Sequence, residues 1–200
     1  MFALNLPNAL TLIRILLVPV LVVALLDETA NGDLLAAIVF ALASATDAMD
    51  GYLARTRNAI TSFGKLMDPI ADKLLVIAAL VALVSLDRLA AWVAMVIIAR
   101  ELTVTVTRMH ATQHGVVIAA NWWGKAKTIT QVVAIFFLIA SGEPSPGWVD
   151  GLVYGMVAIT IVSGVDYFFG LRRVLREAEA RREGAVAPPP VKTRRAPGES

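Results

Sequence analysis

Long apolar runs separated by short polar stretches constrain this chain more than any other feature. Each run is about 20 residues long, the length that an α-helix needs to cross the hydrocarbon core of a bilayer. Backbone polar groups in lipid must be satisfied within the segment, so such runs form helices rather than open strands. The sequence therefore predicts an all-α, polytopic membrane protein. Six transmembrane helices are predicted at about 8–26, 34–55, 62–86, 89–109, 122–141 and 148–171.

Lysine and arginine are distributed unevenly between the two ends of these predicted helices. The loops 27–33 and 142–150 contain neither residue, and the turn at 87–88 contains Arg88 alone. Basic residues gather instead at the opposite helix ends and in the C-terminal tail. Because an excess of Lys and Arg marks the cytoplasmic side, we expect an integral protein of a bacterial-type cytoplasmic membrane. Both termini are then predicted to lie in the cytoplasm.

The C-terminal tail differs in composition from the rest of the chain. Residues 171–183 continue the last predicted helix, whereas 184–200 include three consecutive prolines and few large apolar residues. We predict a membrane domain over 1–175 and a basic, Pro-rich, largely disordered cytoplasmic tail over 176–200. The basic residues of 171–183 suit anionic lipid headgroups.

Four aspartates fall within 26 residues of this otherwise apolar chain. Asp47 and Asp50 precede the end of the second predicted helix, and Asp68 and Asp72 follow the start of the third. Carboxylates at membrane depth are costly and mark functional sites, and neighbouring carboxylates repel one another unless a cation lies between them. Their spacings of three and four place each pair on one helix face. Two such faces can converge on hard divalent cations such as Mg²⁺, Mn²⁺ or Ca²⁺.

Small residues and one arginine accompany the aspartates. Gly51, Ala54 and Gly64 leave room for a ligand or another backbone to approach closely. Arg55 offers a planar fork that can hold a phosphate through two hydrogen bonds. The stretch therefore combines the residue types that a metal-bound phosphate compound requires.

The complete pattern, D-x2-D-G-x2-A-R-x8-G-x3-D-x3-D, resembles the signature of the CDP-alcohol phosphotransferases, and every fixed position is met. The resemblance implies a CDP-linked donor whose diphosphate is bound by two divalent ions, Mg²⁺ or Mn²⁺. It also implies that Asp72 acts as the general base. The implied metal ligands are Asp47, Asp50, Asp68 and Asp72. The implied CDP-binding residues are Asn8, Thr11, Asp47, Gly51, Ala54, Arg55 and Gly64.

Secondary motifs narrow the resemblance to the bacterial phosphatidylglycerophosphate synthases. They lie at 5–14, 100–108, 124–131 and 163–167. The implied reaction joins CDP-diacylglycerol and sn-glycerol 3-phosphate, releasing phosphatidylglycerophosphate and CMP. Two other acceptors remain open, namely phosphatidylglycerol, as in cardiolipin synthases, and inositol phosphate. A different class, an ion transporter whose carboxylates line an ion path, is disfavoured because the chain shows no internal repeat.

Four basic residues next to apolar helices could bind the phosphate of the acceptor. These are Arg100, Arg108, Lys125 and Lys127. An alternative for the lysines is that they only follow the positive-inside rule, and an alternative for Glu101 is an ion pair that fixes helix packing. Membrane lipids and a second copy of the chain in a homodimer are the other expected partners, and no nucleic acid is expected.

Overall fold

The chain is all-helical where a computed structural model describes it, at residues 6–27, 31–57, 62–113 and 122–186. Side chains are described at 9–27, 31–46, 73–109, 111–112, 122–172 and 176. The predicted all-α class is confirmed over these ranges, and the helix ends lie within a few residues of the predicted bounds. The helices are α1 (Leu6–Leu26), α2 (Gly32–Arg57), α3 (Ser62–Ser85), α4 (Ala91–Gln113), α5 (Trp122–Ala140) and α6 (Gly147–Val186).

Three of these helices are long and apolar enough to cross a membrane, judged over the described residues. They contain the windows Ala9–Leu26, Trp122–Ala140 and Gly147–Arg172, while Gly32–Thr46 and Lys73–Ser85 are shorter apolar segments. Many large apolar side chains point outward, among them Met95, which is 69% exposed. Such exposure would be unfavourable in water but is suited to lipid, so the chain is an integral membrane protein. The number of spans and their orientation stay predictions.

The core lies between α1, α2, α3 and α5, with α6 packed on α5 and α4 packed on α3 and α6. Small side chains bring the helices close together. Ala36, Ala43, Ala79 and Ala134 are fully buried. Because the hydrophobic effect does not drive helices together in lipid, close backbone approach and van der Waals contact hold them together.

Residues that follow α1, α3 and α5 meet at one end of the molecule, which we call the turn end (Asp27 and residues 31–33, 86–90 and 141–147). Helix α3 finishes with the N–H of Arg88 donating to the carbonyl of Leu83 at 3.0 Å and the N–H of Asp87 donating to Val84 at 3.1 Å. Asp87 adopts a positive φ of 57°. This is a Schellman cap, which satisfies carbonyls that the helix end would leave unpaired. The predicted turn at 87–88 is confirmed.

An ion pair fastens the turn end. Arg88 donates to both carboxylate oxygens of Asp33, at 2.5 and 3.1 Å, and so ties the α3–α4 turn to the first turn of α2. Gly142 has φ of 62°, and a Cβ placed there would lie 2.9 Å from Asp33 Oδ2. A glycine is therefore required where α5 ends beside this carboxylate.

Helix α6 contains 40 residues and runs well past its apolar part. It includes the helix predicted over 171–183, which continues the last span without interruption. Residues 187–200 lie outside the described residues, so the predicted domain boundary at 175 and the disordered tail stay predictions.

Candidate active site

The aspartate motif lies on the end of α2 and the start of α3, and both halves are helical. The helical backbone gives Asp47 and Asp50, and likewise Asp68 and Asp72, the spacing of neighbours on one helix face. Their side chains lie outside the described residues, as do those of Asn8, Gly51, Ala54, Arg55 and Gly64. The side chains that are described contain no group of three or more Asp, Glu or His that could hold a metal ion.

Glu101 on α4 forms the centre of a buried charged cluster, which we call the Glu101 cluster (Lys73, Arg100, Glu101 and Lys127). Its Oε1 accepts a hydrogen bond from Lys127 Nζ of α5 and another, at 3.1 Å, from Arg100 Nη1. Its Oε2 lies 3.6 Å from Lys73 Nζ of α3. Glu101 is 8% exposed and Lys127 is 5% exposed. One carboxylate thus connects α3, α4 and α5.

Helix α6 joins this arrangement through Ser163. Arg100 Nη2 donates to the hydroxyl of Ser163 at 2.6 Å, and a Cβ at Gly164 would lie 3.4 Å from the Arg100 side chain. The guanidinium therefore extends between Glu101 and Ser163, with little space on the Gly164 side. Its planar donors hold one geometry at both ends, which a flexible lysine ammonium would not do.

Three cations contact the Glu101 carboxylate in the Glu101 cluster. Opposite charges attract more strongly where water is excluded, and both Glu101 and Lys127 are buried. The cluster therefore holds α3, α4 and α5 together close to the motif.

The four residues predicted for the acceptor phosphate divide into two groups. Arg100 and Lys127 meet at Glu101. Arg108 is exposed, with its guanidinium carbon 5.9 Å from the centre of the Tyr167 ring, and Lys125 is also exposed. The described contacts therefore bring two of the four together and place the other two nearer the surface.

Lys73 joins the Glu101 cluster although it was not among the predicted site residues. Its signal in the sequence is a lysine at the start of the apolar segment Lys73–Ser85, directly after the aspartate motif. Because Lys73 follows Asp72 in the chain and approaches Glu101, the backbone of the predicted base lies next to the Glu101 cluster.

Further buried polar groups lie one helical turn from the cluster. Gln131 follows Lys127 on the buried face of α5, and Thr160 precedes Ser163 on α6. Gln131 Nε2, Thr160 Oγ1 and Arg100 Nε have no hydrogen-bond partner in the described structure. Buried donors without partners are rare in folded proteins, so a polar ligand or water is expected to reach this region.

Two polar residues on α1 are also buried. Thr11 is 4% exposed and Arg14 is 1% exposed, and their spacing of three residues puts them on the face of α1 that packs toward α2 and α3. Thr11 therefore faces the helices that carry the motif. Its predicted role in nucleotide binding stays a prediction.

Comparison with known proteins agrees with the resemblance of the aspartate motif. The family model described as CDP-alcohol phosphatidyltransferase matches residues 4–165. A Bacillus subtilis protein named CDP-diacylglycerol--glycerol-3-phosphate 3-phosphatidyltransferase is 43% identical, covering 82% of this chain and 93% of that protein. A Mycobacterium tuberculosis protein named probable phosphatidylglycerophosphate synthase is also 43% identical, covering 90% and 87%. A Salmonella choleraesuis protein with the same name as the Bacillus protein is 36% identical, covering 87% and 94%.

Proposed function

The chain belongs to the CDP-alcohol phosphatidyltransferase family, and from this we propose that it transfers a phosphatidyl group from CDP-diacylglycerol to sn-glycerol 3-phosphate. The products are phosphatidylglycerophosphate and CMP. Support for the donor comes from the motif and the family, and support for the acceptor comes from the names of the relatives. Membership of an enzyme family also disfavours the ion-transporter alternative.

The observation that supports an acceptor with its own phosphate is the group of cations that meet at Glu101, close to the end of the motif. An acceptor that bears its own phosphate needs cations at a fixed distance from the base. Arg100 and Lys127 supply these cations at a buried position, and Arg108 and Lys125 extend the basic surface outward. The phosphate of glycerol 3-phosphate is proposed to bind to these four residues.

The family depends on divalent metal ions, and the donor set of this chain fits them. Two helical segments carry four hard oxygen donors at spacings of three and four, the ligand type that Mg²⁺ and Mn²⁺ prefer. We propose that Asp47, Asp50, Asp68 and Asp72 hold two such ions. When bound, divalent ions neutralise the diphosphate of the donor and polarise the phosphorus that is attacked.

Side chains of the protein bind the substrates and transfer the proton. Asn8, Thr11, Gly51, Ala54, Arg55 and Gly64 are proposed to bind the CDP moiety. The Asp72 carboxylate takes the proton from the 1-hydroxyl of glycerol 3-phosphate. That oxygen then forms a bond to the phosphorus that carries diacylglycerol, and the bond from this phosphorus to CMP breaks. Precise positioning of both substrates supplies much of the rate enhancement in such a transfer.

The site is proposed to face the cytoplasm, and the protein is proposed to act as a homodimer. The asymmetric distribution of Lys and Arg supports the orientation. It would let glycerol 3-phosphate arrive from water while the acyl chains of the donor stay in the lipid.

The test is CMP release by the purified full chain in detergent with CDP-diacylglycerol and Mg²⁺. Glycerol 3-phosphate, phosphatidylglycerol and inositol phosphate are compared as acceptors. We expect release that depends on glycerol 3-phosphate. Release with only one of the other two would overturn the acceptor assignment, and no release with any alcohol from folded protein would overturn the reaction itself.

A further inference from the structure

Arg14 on α1 is a buried charge to which the proposed reaction assigns no role. Its side chain is 1% exposed, and an ionised group at such a place is costly unless an opposite charge accompanies it. Arg14 does interact within the fold. Since α1 packs against α2 and α3, the opposite charge is expected on one of these two helices.

Arg14 belongs to a buried face of α1 that is apolar toward the turn end and polar beyond it. The buried residues of this face repeat at intervals of three and four, as neighbours on one side of a helix do. They are Thr11, Arg14, Val18, Leu21 and Leu25. Arg14 is therefore the point at which the apolar core along α1 ends.

The buried faces of α2 and α3 lead to two aspartates of the motif. The face of α2 contains Ala36, Phe40 and Ala43, and that of α3 contains Leu75, Ala79 and Leu83. Continuing the same intervals of three and four, the next position is Asp47 on α2 and Asp72 on α3. Both helices make most of their helix contacts with α1, so the backbone places the two aspartates on faces that pack toward α1.

Contacts at the turn end show how the three helices are aligned along their lengths. Gly32, the first residue of α2, lies against the carbonyl oxygens of Ala24 and Asp27 at the end of α1. Arg88, just after α3, pairs with Asp33. The end of α1, the start of α2 and the end of α3 therefore lie at about one level.

Distances along the helices then place Arg14 close to the level of both aspartates. At 1.5 Å per residue, Arg14 lies roughly 18 Å from the end of α1, Asp72 roughly 20 Å from the end of α3, and Asp47 roughly 23 Å from the start of α2. These values differ by less than about one helical turn. Side chains on a helix lean toward its N-terminus, which for α1 is the end away from the turn end, so the lean of Arg14 narrows the difference.

No other acid competes for this place among the described side chains of α2 and α3. Their only acid within that set is Asp33, which already pairs with Arg88 at the turn end. A guanidinium has five donors in one plane, and an ionised carboxylate has about four acceptor positions. One arginine can therefore hold two carboxylates and leave each of them with acceptor positions for a metal ion.

We propose that Arg14 is a positioning residue that pairs with Asp47 and Asp72 and orients them as metal ligands. The proposal deepens the proposed function and rests on it, because it needs these aspartates to bind the divalent ions. Before the ions bind, the arginine offsets the repulsion between the carboxylates. Groups that hydrogen-bond to metal ligands set the direction of those ligands and so raise the affinity for the metal.

The experiment titrates Mn²⁺ alone into the full-length protein in detergent and follows the unbound ion by electron paramagnetic resonance. For Arg14→Gln we expect the Kd for Mn²⁺ to rise by about 10- to 100-fold, the usual effect of losing a group that orients metal ligands. Arg88→Gln, the same change at the turn end, is the matched control and should leave the Kd unchanged. Arg14→Lys keeps the charge but not the planar fork, and should raise the Kd by a smaller factor.

A purely structural role for Arg14 predicts other results. Arg14→Gln would then lower the Tm in detergent while the folded protein bound Mn²⁺ as tightly as before, which would overturn the proposal. Tighter binding of Mn²⁺ would also overturn it, because the arginine would then only repel the ions. If Arg14→Gln does not fold, Arg14→Lys decides, since an unchanged Kd in that variant would overturn the pairing with both carboxylates.

The titration contains no substrate, so its outcome is separable from that of the proposed reaction. Weaker Mn²⁺ binding in Arg14→Gln supports the positioning role even if no acceptor gives CMP release, a result that would overturn only the reaction. CMP release by the unaltered chain with an unchanged Mn²⁺ affinity in both Arg14 variants would overturn only the positioning role. If the unaltered chain bound no Mn²⁺, the metal assignment and the role of Arg14 would both be wrong.

Discussion

The two ends of the molecule use the same chemical groups in different proportions. At the turn end, Arg88 and Asp33 form a pair with both carboxylate oxygens engaged and the charges equal. In the Glu101 cluster, Glu101 contacts Lys73, Arg100 and Lys127. The pair at the turn end joins two elements through one cation and one anion, so its role is structural. The Glu101 cluster joins three helices and includes Arg100 and Lys127, which are proposed to bind the acceptor phosphate.

The strongest test of this contrast is Asp72→Asn in the aspartate motif. Loss of a general base lowers the rate by about 10²–10⁴-fold, and the proposed function requires this loss with donor binding largely retained. The measurement is CMP release together with binding of CDP-diacylglycerol in the presence of Mg²⁺. Asp33→Asn is the matched control and should keep its turnover. Weakened donor binding with turnover retained would count against Asp72 as the base.

Arg100→Lys tests whether geometry or charge alone matters in the Glu101 cluster. Lysine keeps the positive charge but cannot reach Glu101 and Ser163 together as the planar guanidinium does. We expect the KM for glycerol 3-phosphate to rise by about tenfold. An unchanged acceptor KM would mean that a positive charge at position 100 is sufficient. The companion variant Ser163→Ala measures how much of the change in KM depends on the hydrogen bond between Arg100 and Ser163.

At the turn end the expected effect is on stability rather than turnover. Asp33→Asn removes a partly buried, bidentate ion pair and should lower the free energy of unfolding by about 1 kcal/mol. Thermal unfolding in detergent measures the loss, with Arg88→Gln expected to match it and the double variant expected to add little. If turnover per folded molecule fell as well, the turn end would be coupled to the active site. The purely structural role of the Asp33–Arg88 pair would then be wrong.

The smallest expected effect concerns Asp87, which adopts a left-handed conformation at the Schellman cap. Glycine reaches that conformation without a steric cost, so Asp87→Gly should stabilise the turn by a few tenths of a kcal/mol up to about 1 kcal/mol. A small rise in Tm with unchanged activity is the expected result. A fall in Tm would show that the Asp87 side chain contributes contacts that outweigh the backbone strain.

Hydropathy and spacing were sufficient to predict the helices and the motif. Apolar runs of bilayer length specify α1 to α5 and the apolar part of α6 within a few residues, since in lipid the backbone has few alternatives. The aspartate signature is local, with all its positions on two consecutive helices. The helices and the signature depend on residues that are close in the chain, so they can be predicted from a single sequence.

Contacts between distant residues could not be predicted in this way. Arg88 pairs with Asp33 at 55 positions of separation, and Arg100 reaches Ser163 at 63. The sequence predicted Lys127 and Arg100 as phosphate-binding residues but not that Glu101 would bring them together, nor that Lys73 would join. Their meeting depends on how α3, α4, α5 and α6 pack, which periodicity does not encode.

The length of α6 has a practical consequence for experiments on this chain. The helix continues from Arg172, the end of its apolar window, to Val186, a rise of roughly 20 Å at 1.5 Å per residue. That exceeds the screening length of about 8 Å at physiological ionic strength. Along a straight helix, a reporter domain attached after α6 would sense the bulk compartment rather than the charged lipid surface. The helical extension of α6 would therefore act as a spacer for a reporter that determines on which side of the membrane α6 ends.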